Sequence, residues 1–338
     1  MLKFKSSTLF VLIRFLWRIS LLPLWAGLWL FGLSLLVWYP LRWWPGDRLV
    51  LVRLVNYFMP WLLVGLLPGL LLAGLGRRRW LMLVLAIPTL LIGLAYAPLF
   101  LPRSSTVLAS PAPLKIMSYN VLVWNRHIPS AAAVIRREQP DILLMQEVTP
   151  WIARQLQNDL TDLYSGDTLH FIYESSMQQA IISRYPLTEI GTSFGEGRVL
   201  KARVDIPSGP ITVWNVHANA PVGSWRSQYR QMSALVQAIA KVDGPLIVGG
   251  DFNTTDQSET YQLISHYLNN AHWQAGWGFG FSFPAHAPHF RGVPIITPMV
   301  RIDHIFYSHH FYARSASTLS DAGGSDHFPV IAVLSPVE

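Results

Sequence analysis

Leu246-Ile247-Val248-Gly249-Gly250-Asp251-Phe252-Asn253 is the stretch on which the reading of this chain turns. An apolar run entered through Pro245 and left through polar residues reads as a strand covered on both faces. Two glycines let the backbone turn sharply, and alternation then points Asp251 and Asn253 the same way. A carboxylate beside an amide at a strand end can take the proton of an attacking water and steady a developing oxyanion. The same letters, taken alone, also describe an Asx-rich turn after a strand.

Four more apolar runs end or begin on polar residues of complementary chemistry. Asn120 ends Lys115-Ile116-Met117-Ser118-Tyr119-Asn120, and Glu147 ends Asp141-Ile142-Leu143-Leu144-Met145-Gln146-Glu147. His217 closes Ile211-Thr212-Val213-Trp214-Asn215-Val216-His217, and Ser325-Asp326-His327 opens the run that follows it. A carboxylate at the end of a buried strand is costly unless paired or bound to metal. Amide and carboxylate oxygens together suit Mg²⁺ or Mn²⁺, which prefer oxygen and retain waters. His327 needs an orienting acid, and Asp303 in Arg301-Ile302-Asp303-His304 is the natural candidate, although the sequence does not say which acid pairs with which histidine. Each site has an ordinary alternative: a solvated strand terminus for Glu147, a turn for Asn120, a structural role for His217. Converging on one sheet rim, they suit a hard metal ion and an attacking water, which makes phosphoester hydrolysis the expected chemistry.

Around these runs the pattern predicts strands over 115–121, 141–147, 179–184, 199–205, 210–217, 245–250, 300–307 and 328–334. Helices are expected over 130–139, 150–160, 224–240 and 257–268, with Ser130 and Ser224 as N-caps and Pro140 stopping the first. Residues 270–299 read as a long Gly, Pro and aromatic loop. The expected class is α+β, a two-sheet core with outer helices.

Charge divides the 338 residues sharply. Residues 1–103 hold eleven Lys/Arg and one acid, Asp47, while residues 104–338 hold fifteen Lys/Arg, eighteen Asp/Glu and all eleven histidines. The whole-chain +7 therefore belongs to the first hundred residues and describes no basic nucleic-acid face. With no cysteine in the chain, disulfides, thiolate metal sites and cysteine nucleophiles are excluded.

Three apolar stretches, about 19–40, 50–74 and 80–101, are each long enough to cross a bilayer as a transmembrane helix. The alternatives are a secretory signal, for which the first stretch is too long, and two spans with one stretch re-entrant. Lys3, Lys5, Arg14 and Arg18 precede the first stretch, and Arg77-Arg78-Arg79 sits between the second and third. Both clusters should stay cytoplasmic, which would place the N-terminus in the cytoplasm and everything after residue 102 outside it. The expected organisation is a membrane anchor over 1–102, a Ser/Pro-biased linker over 103–113 and a soluble domain over 114–338.

The motifs SYNV, QEV, NVHA, GGDFN, RIDHIFYS and SDHFPV, in that order, resemble the endonuclease/exonuclease/phosphatase superfamily, and they cover 115–334. Gly278-Phe279-Gly280-Phe281-Ser282-Phe283-Pro284 before the Arg301 strand is similar to the membrane-anchored bacterial branch of that family. The resemblance implies a four-layered α/β/β/α sandwich of the deoxyribonuclease I type, with the site at one end of two packed sheets. It implies Mg²⁺ or Mn²⁺ near Asn120, Glu147 and Asp326. Asp251 would position or deprotonate the water, Asn253 would accompany it at the phosphate, and His217 would contact a phosphate oxygen. Asp303 would orient His327 at the scissile phosphate. Arg226 or Arg230 would supply a phosphate-binding arginine from the helix after His217, unless both are solvated helix charges.

The substrate class stays open among nucleic acid, nucleotide and lipid headgroup. The net −3 of residues 104–338 counts modestly against a nuclease. Besides substrate, the lipid bilayer is the expected partner, and no obligate protein partner is inferred. The competing reading from another class is a non-catalytic membrane-bound binding or scaffold protein that keeps the fold.

Overall fold

The computed structural model describes residues 21–101, 113–164, 168–193, 195, 198–221, 224–285 and 298–337. Lys3, Lys5, Arg14, Arg18 and all of the expected linker but Pro113 lie outside the described residues. The chain divides into two compact units, Met1–Ala97 and Pro98–Glu338.

The first unit contains α1 (Leu22–Leu41), α2 (Val50–Tyr57), α3 (Leu62–Leu75) and α4 (Arg79–Tyr96), the last continued by a 3₁₀ turn, Ala97–Leu99. Leu22–Leu41 and Arg79–Leu99 are long and apolar enough to cross a membrane. The stretch 50–74, expected as one helix, is instead a pair bent by 75°. The break falls at Phe58-Met59-Pro60, where proline lacks an N–H and crowds the residue before it out of helical geometry. Helices in this unit approach closely: a Cβ on Gly32 would meet Val84 Cγ1 at 2.8 Å. Apolar residues lie on both the inside and the outside of this unit: Leu66, Leu81 and Leu85 are buried. Leu30 is 72% exposed, while Asp47 and Asn56 are buried, with Asn56 Nδ2 donating to Asp47 Oδ1 at 2.8 Å and Trp38 Nε1 donating to Asn56 Oδ1 at 3.1 Å.

The second unit carries twelve described strands: β1 (Leu114–Asn120), β2 (Ile142–Gln146), β3 (His170–Glu174), β4 (Gln179–Ser183), β5 (Leu187–Ser193), β6 (Val199–Ile206), β7 (Gly209–His217), β8 (Leu246–Asp251), β9 (Asn269–Asn270), β10 (Asp303–Tyr307), β11 (Phe311–Thr318) and β12 (Val330–Pro336). Its helices are α5 (Ile128–Glu138), α6 (Pro150–Asp159), α7 (Trp225–Ile239), α8 (Glu259–Ser265) and α9 (Ala271–Ala275). One sheet has the order β11-β12-β1-β2-β4-β3 and the other β5-β6-β7-β8-β10-β9.

Three apolar clusters make four layers. Leu143 and Met145 of β2 pack with Ile128, Ile135 and Ile152 of α5 and α6. Ile142 and Leu144 turn the other way, onto Leu200, Val213, Ile247 and Ile305 of the second sheet. Val216, Val248 and Phe306 of that sheet pack on Met232, Leu235 and Ile264 of α7 and α8. A strand buried on both faces has no polar alternation, which is why β2 and β8 read as continuous apolar runs. The edge strands β3, β5 and β11 carry no such run and lie outside the strands expected from sequence. At each sheet margin, half-buried or exposed side chains replace the apolar signal.

Local signals were mostly accurate. Ser224 caps α7 by accepting from Ser227 N–H, and α5 ends at Glu138 ahead of Pro140. Ser130 is no cap, because α5 begins at Ile128 with Pro129 in its first turn. Ser258 caps α8, which is shorter than the expected 257–268. The loop expected over 270–299 opens with α9, and residues 286–297 lie outside the described residues.

Candidate active site

Strand direction gathers the site. β1 and β2 are parallel, and β7 and β8 are parallel, so Asn120, Glu147, His217 and Asp251 emerge at carboxyl ends. β10 and β12 run antiparallel to β8 and β1, so the starts of β10 and β12 meet those ends. Asp303 pairs with Asp251, and His217 pairs with Asp251, in register. The two glycines sit inside β8, and their reason is close approach. A Cβ on Gly249 would lie 2.6 Å from Leu144 Cδ1 of the facing sheet, and one on Gly250, at φ +150, would lie 1.9 Å from Val216 O.

His327 and Asp303 form a buried pair, Nδ1–H donating to Oδ2 at 2.8 Å. Ser282 Oγ donates to the same Oδ2 at 2.7 Å. His327 Nε2 then lies 3.9 Å from Asp251 Oδ2, and His217 Nε2 lies 3.8 Å from it. Asp251, Asp303 and His327 each bring one possible ligand atom within 4.8 Å of the others. Asn253 is pinned to Asp251 twice, its N–H to Oδ1 at 2.8 Å and its Nδ2 to Oδ2 at 3.1 Å. Asn120 Nδ2 donates to both Glu147 Oε1 (3.1 Å) and Asp251 Oδ2 (3.2 Å), joining carboxylates from the two sheets. Val123 N–H holds Glu147 Oε2 at 2.8 Å.

Below the rim the sheets are locked together by polar groups with no exposure. Gln146 Nε2 donates to Asn215 Oδ1 at 2.7 Å. Asn215 Nδ2 donates to the carbonyls of Met145 (2.7 Å) and Ala180 (3.0 Å), and Gln179 Nε2 donates to Asn215 O at 3.2 Å.

Burial raises Asp251 to about 7, with Asp303 adding and His327 opposing. For His327 burial disfavours the cation, yet the charge and hydrogen bond of Asp303, with Asp251 and Asp326, outweigh it and raise the group. His327 is thus an imidazolium aimed at the Asp251 carboxylate. His217 goes the other way, to about 3, through burial and then Arg198 and His327, so it is a neutral donor or acceptor. Burial and then Glu147 and Asp303 raise Asp326 against the pull of His327.

These groups line a cleft of ≈ 440 Å³ bordered by Glu147, His217, Asp251, Asn253, Asp326 and His327. Asn120 and Asp303 stand immediately behind it as partners of the lining groups. Arg226 and Arg230 do not line the cleft; they lie on α7, where Arg230 Nε donates to Arg226 O. The arginine that does line it is Arg198, beside β6, whose electrostatic neighbours are Glu147 and Asp251. Sequence reasoning missed it, although a signal exists. β6 begins opposite the end of β7, Val199 facing Val216, so the residue before β6 must stand next to His217. Gln178 was missed too, whereas Phe283, which belongs to the Gly278–Pro284 motif of the aromatic loop, packs its ring 4.7 Å from that of His327. Glu147 (φ +61), Arg198 (φ +42) and Asn253 (φ +49) all adopt left-handed backbone, a strain that clusters at functional sites.

Oxygen donors fit a divalent cation at the Glu147 side. Glu147 and Asp326 border the same cleft, and their mutual repulsion is what a cation would relieve. In the tighter acid–histidine group Asp303 Oδ2 is committed to His327 and Ser282, while its buried Oδ1 has no hydrogen-bond partner.

With that geometry in place, comparison with known proteins is informative. The profile of the Endonuclease/Exonuclease/phosphatase family matches residues 117–327, from β1 to His327. A UPF0294 protein of Vibrio cholerae serotype O1 is 28% identical over 230 residues, 63% of this chain and 76% of that protein. Among solved structures, the Bacteroides thetaiotaomicron mannosyl-6-phosphatase Bt3783 superposes with a TM-score of 0.53 at 17% identity, covering 65% of this chain and 99% of its own. D. rerio TDP2 complexed with single strand DNA product superposes with a TM-score of 0.55 at 16% identity, covering 66% and 99%. At such identities the structural likeness speaks to the fold.

Proposed function

Since the chain belongs to the Endonuclease/Exonuclease/phosphatase family and is by that lineage a phosphoester hydrolase, we propose that it cleaves its ester by direct attack of water, prepared by Asp251 and received by His327 and Arg198. The observation that carries this reading is the convergence of Asp251, Asp303 and His327 within 4.8 Å, with His327 oriented by Asp303. In its carboxylate form Asp251, fixed by Asn253 and Asn120, accepts the proton of the water as its oxygen bonds to phosphorus. The P–O bond on the opposite face breaks, and the leaving oxygen keeps the electron pair and takes a proton from solvent. The His327 imidazolium and the Arg198 guanidinium neutralise charge on the equatorial oxygens, while neutral His217 donates to one of them. No covalent bond to the protein forms.

Glu147 and Asp326, with Asn120 behind Glu147, would hold Mg²⁺ or Mn²⁺, which when bound supplies positive charge to the phosphoryl oxygens. The N-terminal unit serves as a membrane anchor. Support comes from its two helices of sufficient length, the bent pair between them and the outward-facing leucines. The basic residues flanking these helices favour a cytoplasmic N-terminus and a catalytic unit outside the cytoplasm. A scaffold that kept only the fold would have no need of an intact Asp303–His327 pair.

The test is a panel of phosphomonoesters and phosphodiesters, including duplex DNA, RNA, sphingomyelin and inositol phosphates, given to the full-length chain with Mg²⁺, Mn²⁺ or Ca²⁺. Turnover of one class, abolished by EDTA and restored by the metal, is expected. Full activity in excess EDTA would overturn the mechanism. A reporter fused after Glu338 and active only in the cytoplasm would overturn the topology.

A further inference from the structure

Trp124 is 80% exposed, yet the loop that carries it is fixed on both sides. On one side Val123 lines the cleft and gives its N–H to Glu147. On the other, buried Asn125 gives its N–H to Leu122 O at 2.8 Å, accepts from His127 N–H at 2.8 Å and donates to Gly323 O at 3.3 Å. The closeness of that packing shows at Gly324, where a Cβ would lie 2.9 Å from both Asn125 Oδ1 and His127 Cβ. An indole held on a rigid turn with most of its ring in water is an unusual use of the largest apolar side chain. Its chain neighbour Val123 is the residue bonded to Glu147, the site's metal-side carboxylate. The cleft, at ≈ 440 Å³, has the volume of a small-molecule pocket and exceeds what a phosphoryl group alone would fill, so it admits more of the ester than its phosphate.

From this placement we infer that Trp124 is a stacking platform for a planar ring of the substrate, carried next to the scissile phosphate on the Glu147 side of the cleft. The inference rests on the phosphoester-hydrolase reading and narrows it to esters that bear such a ring. An aromatic face accepts any planar ring without hydrogen-bond readout, so the residue selects for the presence of a ring and against bare alkyl or sugar phosphates. The ring can come from a small ester or from a terminal base of a single strand. Trp124 touches neither phosphorus nor water in this role and sets specificity only.

The test measures binding, so it stands apart from turnover. In the full-length Asp251→Asn chain with Mg²⁺, calorimetry would compare adenosine 5′-monophosphate, ribose 5-phosphate and a single-stranded tetranucleotide, with and without Trp124→Ala. We expect a ringed ligand to bind at least about tenfold more tightly than ribose 5-phosphate. Trp124→Ala should bring the ratio to within about twofold, with ribose 5-phosphate affinity unchanged, and Trp124→Phe should keep most of it. A gain for the mononucleotide assigns the ring to a small ester, and a gain for the tetranucleotide alone assigns it to a strand. Absence of any ring preference, or a preference that survives Trp124→Ala, overturns the inference. Failure of the wild-type chain to hydrolyse any ester in the panel would instead count against the function on which it rests.

Discussion

The two sheets bring different chemistry to the same rim. From the first come Asn120 and Glu147, an amide and a carboxylate at the ends of parallel neighbours, with Asp326 and His327 entering from its antiparallel strand. From the second come His217, Asp251, Asn253 and Asp303, with Arg198 at the margin. In the mechanism proposed above, the first set, rich in oxygen, would hold a cation, and the second would hold the water and take its proton. Among the described residues, two hydrogen bonds between these groups cross from one sheet to the other, Asn120 to Asp251 and His327 to Asp303. Each sheet alone would present an ordinary strand terminus. Packed face to face, they bring Asp251, Asp303 and His327 within 4.8 Å of one another, so the proposed mechanism makes the inter-sheet spacing a catalytic parameter.

The sharpest way to break this division is on the second sheet. Asp251→Asn should lower kcat by roughly 10³–10⁴-fold with the metal concentration at half-maximal activity unchanged. A parallel shift in metal dependence would show that Asp251 belongs to the cation side. Next comes the link across the sheets: Asp303→Asn should cost about 10²–10³-fold in kcat with KM little altered, since the imidazolium loses its anchor and its charge support. If KM alone moved, His327 would be a ground-state binder. On the first sheet, Glu147→Gln should raise the Mg²⁺ requirement by roughly 10–100-fold, with activity partly recovered at high Mg²⁺. Loss that no metal concentration relieves would erase the contrast between the sheets.

The smallest effect concerns stability. His304 is buried on the outer face of β10, its Nε2–H on Thr254 O at 2.8 Å and its Nδ1 accepting from Asn270. Burial is the largest influence on it and lowers it to about 4, so it stays neutral in the fold. The folded state therefore binds fewer protons than the unfolded chain. The contribution of His304 is complete above about 6.5 and is lost as pH falls through about 4, roughly 3 kcal/mol at about 1.4 kcal/mol per pH unit. Thermal unfolding between pH 7 and pH 4 should show this decline, and His304→Asn should flatten it. An identical slope in the variant would place the acid sensitivity elsewhere.

How far the sequence carried depended on burial. β2, β7 and β8 were legible because both faces are covered and the runs end on Glu147, His217 and Asp251. Edge strands β3 and β11 carry mixed residues and gave no such pattern. The motif residues were found because their types are chemically unusual at strand ends. Arg198 was not, because its meaning lies in antiparallel register with β7 rather than in its own neighbourhood. The bend at Phe58–Pro60 shows a related limit. Hydropathy reported an unbroken apolar stretch over 50–74, whereas the missing N–H of Pro60 interrupted it.

The Asn215 lock beneath the cleft has a consequence for motion. It ties three strands of two sheets through side-chain amides that water does not reach. Deuterium should therefore enter the backbone at 144–146 and 213–216 only when the whole sandwich opens, while the loops a few residues away exchange quickly. The mouth of the site can breathe to admit and release an ester, and the footing that spaces its reacting groups stays still.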